Sequence, residues 1–102
     1  MKKIMISQPM MGLTEDKIRQ NREHIVNELT NKGYEIIDTV QPDFTIEEAI
    51  NIKNIPLKFI ANSINFMVDA DILYMMKDWQ YSRGCKVEHM VAVEYGLEIM
   101  YE

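Results

Sequence analysis

The sequence predicts an α/β fold: a three-layer, flavodoxin- or Rossmann-like sandwich with a small parallel sheet of four to five strands flanked by helices. Two observations carry this expectation. Short apolar runs alternate with longer segments of helical period, in the order strand, helix, strand, helix, strand, helix, strand. That alternation suits a parallel sheet joined by right-handed crossovers. The run Asp71-Ile72-Leu73-Tyr74-Met75 is also apolar almost throughout, as expected of a central parallel strand covered on both faces.

Each element has its own local signal. Lys3 to Ser7 is a short apolar run closed by a Gln-Pro turn signal, which suits a buried strand ending in a loop with Met10, Met11 and Gly12. Thr14 is placed to cap a helix with Glu15 and Asp16 at its positive end, and Ile18, Ile25, Val26 and Leu29 repeat at helical spacing up to a Gly33 cap. Tyr34 to Ile37 reads as a second short strand before a polar loop with Pro42. Thr45 and Glu48 form a capping box, with Phe44 placed to staple against Ala49, so a helix starts there. Pro56 restarts or kinks it, and Leu57, Ile60, Ile64 and Met67 share one face up to about Val68. After the central strand, Lys77 to Gly84 is a loop, Cys85 to Tyr95 a helix closed by Gly96, and Leu97 to Tyr101 a last strand.

With 102 residues and 47% hydrophobic composition, the chain has enough apolar material for one core, so residues 1–102 are read as a single domain. A formal net charge of −5 repels long polyanions on average, which argues against a nucleic acid polymer as partner. One cysteine allows no internal disulfide. Met1-Lys2-Lys3 imitates the start of a signal peptide, but Ser7-Gln8-Pro9 breaks the apolar run at once, and no run approaches the roughly 20 residues of a membrane-spanning helix. A cytoplasmic location and no membrane partner are expected.

Ligands in such sheets bind beyond the carboxyl ends of the strands, where the strand order reverses. Two loops qualify, Ser7 to Gly12 and Asp78 to Gly84. If Ser82 caps the last helix, the free N–H groups of Arg83, Gly84 and Cys85 with the Arg83 guanidinium make an anion site. The plainer reading is an ordinary capped helix with a surface arginine. Glu88, one turn into that helix, faces either water or the strand ends, and a carboxylate facing a sugar can attack its anomeric carbon. His89 points about 100 degrees away around the helix, and His24 reads as solvated. Cys85 is read as packing rather than as a nucleophile, and two histidines with one cysteine make no metal site. The nine methionines fill core gaps, although Met10 and Met11 could pad a ligand base. Trp79 either stacks on a ligand ring or closes the edge of the core.

Taken together, KIMISQPMMG, Asn21, ADILYMMKDW and SRGCKVEHMVAVEYGLEI resemble the nucleoside 2-deoxyribosyltransferase-like proteins, and among them a short DUF4406-like subgroup often found in phage-type genomes. The resemblance spans nearly the whole chain and is strongest from Asp71 to Ile99. It implies that Glu88 is a nucleophile attacking C1′ of a deoxyribosyl group, with release of the base and transfer of the sugar to a second base or to water. It also implies that Ser82, six residues before Glu88, and the loop Ser7, Gln8, Pro9, Met10 and Gly12 hold a 5′-phosphate. Asp78, Trp79, Arg83 and Gly84 complete the expected binding surface, with Tyr74 or Trp79 beside the base. No cofactor is implied, and a homo-oligomer is. One position departs from the pattern: active relatives carry an acid eight residues before the aspartate that opens strand three, and here that residue is Ser63. Without that acid, base protonation falls to another group such as Asp78 or Asp69, or the domain is a catalytically inactive module that binds a nucleotide-derived ligand. A third expectation is an assembly partner with no small ligand.

Overall fold

Four strands and four helices alternate in the computed structural model, which describes residues 1–102: β1 (Lys3–Ser7), α1 (Glu15–Asn31), β2 (Glu35–Ile36), α2 (Ile46–Ile50), α3 (Ile55–Met67), β3 (Ile72–Met75), α4 (Arg83–Tyr95) and β4 (Glu98–Tyr101). A single 3-10 turn, Trp79–Tyr81, lies between β3 and α4. The strands form one parallel sheet in the order β2-β1-β3-β4.

Side-chain alternation along the two central strands builds the layers. Ile4 and Ile6 of β1 and Ile72 and Tyr74 of β3 join Ile25 and Leu29 of α1 in one buried cluster. The intervening Met5, Leu73 and Met75 meet Met67 of α3 and Cys85 and Ala92 of α4 in a second cluster. Thus α1 covers one face, and α3 and α4 cover the other. The β1–β2 crossover uses the first face and moves one way, while the β2–β3 and β3–β4 crossovers use the second and move the other way. All three therefore share one hand, as the rule for parallel crossovers requires. The order reverses between β1 and β3, which defines the place for a ligand in a flavodoxin-like sheet.

Local chemistry explains most boundaries. Thr14 and Ser82 accept N–H bonds at the starts of α1 and α4, and Gly33 and Gly96 take positive φ just after their ends, a conformation glycine adopts without a Cβ clash. The Thr45/Glu48 capping box is complete. Pro56 does not kink one long helix; α2 ends at Ile50, and the Asn54 side chain opens α3 with the proline in its first turn. Phe44 packs its ring on Phe59 at 4.8 Å between centroids. Leu57 also leaves the expected face and is exposed. At 13 residues, α3 is about 20 Å long and overhangs the four-residue β3, so its first turn stands past the strand ends. No helix is long and apolar enough to cross a membrane.

Candidate active site

Glu88 is the centre of the site. It lies on the inward stripe of α4, one turn after Cys85 and one turn before Ala92, and only 7% of it is exposed. Ser7 is the last residue of β1 and pairs in register with Met75, the last of β3. Its hydroxyl donates to Glu88 Oε1 at 2.6 Å in a buried contact. The carboxyl group therefore sits over the carboxyl ends of β1 and β3, at the reversal of strand order.

A second hydroxyl and an amide chain approach from α3. On the α3 side, the Ser63 hydroxyl favours the charged form of the Glu88 carboxyl. Gln41 Nε2 donates to Ser63 Oγ at 3.3 Å and to the Phe59 carbonyl at 3.2 Å, and Asn62 Nδ2 donates to Gln41 Oε1 at 3.0 Å. Beyond Gln41 and Asn62 opens a cavity of about 330 Å³, walled also by Phe44, Asn65 and Phe66. Two aromatic rings, three carboxamides and the Asp43 and Glu48 carboxylates line it, a mostly polar wall with hydrogen-bonding edges.

The electrostatics are set by burial. Loss of water pushes the Glu88 carboxyl above the ordinary glutamate range, against the opposing effects of Ser7, Ser63 and the Arg22 charge. Burial also raises the Cys85 thiol, which keeps it in the unreactive protonated form and fits the packing role read from the sequence.

The two expected loops contribute unequally. Ser7 reaches Glu88, but Gln8 turns to the opposite face, where Nε2 donates to the Ile18 carbonyl at 2.9 Å and Oε1 accepts from Arg22 Nε at 2.8 Å. Gln8 is thus committed to clamping α1, because strand alternation sends successive side chains apart. Pro9 and Met10 are half-buried, Gly12 is exposed at φ 78, and the Met10 carbonyl closes the turn by accepting from Leu13 N–H. Ser82 caps α4 by accepting from Cys85 N–H at 3.4 Å. Arg83 is exposed and Gly84 sits close to Ile60 of α3.

Trp79 closes the core edge rather than offering a free face: it stacks on His89 at 4.3 Å, and His89 Nε2 lies 2.7 Å from the Tyr101 hydroxyl. Tyr74 belongs to the α1-side cluster, across the sheet from Glu88. Asp78 stands exposed on the correct rim in a left-handed conformation. Asp69 lies between α3 and the amino end of β3, about a strand length of 13 Å from the Glu88 end, so it cannot substitute for the missing acid. His24 is not simply solvated but pairs with Glu102 Oε2 at 3.1 Å. No three His, Cys, Asp or Glu side chains gather as metal ligands.

The family model for a domain of unknown function, DUF4406, matches residues 2–101. The chain belongs to the DUF4406 family. No curated protein and no solved structure matches it. In this DUF4406 domain, the residues that sequence reasoning missed are Gln41, which donates to Ser63, and Arg22, which donates to Gln8. Arg22 had a signal, since it falls on the apolar stripe Ile18, Ile25 and Leu29, where a charge has no ordinary place. Gln41 had none, because a loop after a two-residue strand carries no period from which to read a direction.

Proposed function

We propose that the domain cleaves the N-glycosidic bond of a nucleoside or nucleotide, with Glu88 as the nucleophile on C1′ of a deoxyribosyl or ribosyl group. The resemblance of its motifs to the nucleoside 2-deoxyribosyltransferase-like proteins supports this role. The supporting observation is the buried Glu88 carboxyl held by Ser7 at 2.6 Å at the β1–β3 strand ends. One carboxylate oxygen forms a bond to C1′ as the C1′–N bond breaks and the base leaves with the bonding pair. Water or a second base then attacks C1′ and frees Glu88. The cavity beyond Gln41 receives the departing base, and Ser82 with Arg83 holds the anionic end of a nucleotide. A second copy of the chain would shelter the open rim.

A second reading rests on Ser63. A hydroxyl cannot donate a proton as an acid near neutral pH, and loss of general acid catalysis costs typically about 10²- to 10⁴-fold. A binding module that has kept the pocket without fast chemistry fits that substitution. The test is incubation with deoxynucleosides and their 5′-monophosphates while following free base. Release that disappears in Glu88→Gln supports the enzyme. Thermal stabilisation by the same compounds without release supports the binder, and neither response excludes both.

A further inference from the structure

The outer side of α4 carries a pattern that its inward side does not require. Cys85, Glu88 and Ala92 point into the core, and at about 100 degrees per residue Met90 points almost directly away from it. Met90 is 57% exposed and Val93, on one flank, 55%. Val87, on the other flank, is half-buried, and Lys86 and Glu94 are exposed. Neither of these two charges has an ion-pair partner within the chain.

Counted from Met90, a valine stands three residues before and three after, and opposite charges stand four before and four after. The stripe is therefore balanced about its centre. A surface that meets its own copy across a two-fold axis must be self-complementary in this way, with residue i against j and j against i. Two antiparallel copies of α4 that cross at Met90 set Lys86 against the partner's Glu94 twice over, and each Val87 against a Val93. The helix dipoles favour the same antiparallel sense. Exposed apolar side chains are ordinary on a protein surface when scattered singly. The symmetric placing of the two unpaired charges is what selects a second copy as the occupant, because an unrelated partner does not require it.

We propose that α4 is a homodimer seam, in which two copies of the chain pair antiparallel through Lys86, Val87, Met90, Val93 and Glu94 with Met90 on the two-fold axis. The seam lies on the back of the helix that carries Glu88, so it stands whatever that carboxyl group does. One helix from each copy makes a small interface, and the dimer forms at micromolar rather than nanomolar concentration.

The experiment is sedimentation velocity over a concentration series of the full chain, with folding of each variant checked by circular dichroism. The native chain dimerises and Met90→Glu is monomeric. Lys86→Glu and Glu94→Lys each weaken the dimer by about tenfold or more, because two attractions become two repulsions, and the double exchange Lys86→Glu/Glu94→Lys recovers it. Overall charge predicts otherwise: the first single change makes an acidic chain more acidic and the second less so, which would move the two in opposite directions. Cross-linking gives the register independently and serves if Met90→Glu does not fold. Facing Cα atoms on helices in contact lie about 4–5 Å apart, within reach of a disulfide, so Met90→Cys oxidises to a covalent dimer. Lys86→Cys alone does not, its two copies being about 12 Å apart along the seam, whereas a mixture of Lys86→Cys and Glu94→Cys chains does. Cys85 is buried and takes no part. A native chain that stays monomeric at millimolar concentration, a dimer indifferent to Met90→Glu, or a double exchange that recovers nothing overturns the proposal.

Discussion

A single carboxyl group carries two opposed demands. Burial of Glu88 raises its proton affinity, whereas an attacking carboxylate must be ionised. The sign of the effect on stability follows. A glutamate whose folded pKa lies above its unfolded one binds protons more tightly when folded, so its favourable contribution is complete below the unfolded value and is lost as pH rises through the folded value. Each tenfold change in ionisation is worth about 1.4 kcal/mol. Glu88→Gln keeps the shape and an oxygen for Ser7 to donate to, but removes the charge. Its melting temperature should therefore gain on the native chain progressively as pH rises above the ordinary glutamate value, and a difference that does not change with pH would show that Glu88 is not a desolvated acid. The place of Glu88 after the Ser82 turn left water and the strand ends both open, and it was the resemblance that singled this residue out. Its companions were legible only in part: the α1 stripe marks Arg22 as anomalous, but nothing in the order of residues says that Gln8 would hold it.

The helices divide by what they bury. α2 owes its existence to its own cap, since none of its residues is buried and Ile46 and Ile50 lie exposed. α4 carries Cys85, Glu88 and Ala92 into the core. Removing a cap costs about 1 kcal/mol in either case, but the loss should appear in different places. Thr45→Ala should speed amide exchange across Ile46–Ile50 with little change in global unfolding, because a short unpacked helix opens alone. Ser82→Ala should lower the global denaturation midpoint, because α4 unfolds with the sheet. Equal global losses from both would contradict this division. The caps were readable, as Ser82, Thr14 and the Thr45/Glu48 box were all expected and are all present. Packing partners were not: nothing in the order of residues pairs Phe44 with Phe59, and Leu57 stands free, because helical period gives a face but not how far the neighbouring sheet extends.

At the scale of the molecule, three crossovers of one hand are enough to bring the ends of β1 and β3 together under α3 and α4. Ser7, Ser63 and Glu88 are far apart in the chain and meet there. The parallel α/β class followed from the alternation of periods, whereas the reversal point required knowing which side of β1 each later strand takes. The claim that unites residue and fold is that Glu88 is the atom donor to C1′. A 2-fluoro-2-deoxyribosyl nucleoside measures this most directly, because the fluorine slows release of the sugar from the glutamyl ester. Intact-mass and peptide mass spectrometry after incubation should find one fluorosugar on the peptide bearing Glu88, with an equivalent of free base and no adduct in Glu88→Gln. Base release with the sugar on another residue, or no adduct and no release from any nucleoside or nucleotide, would contradict the account.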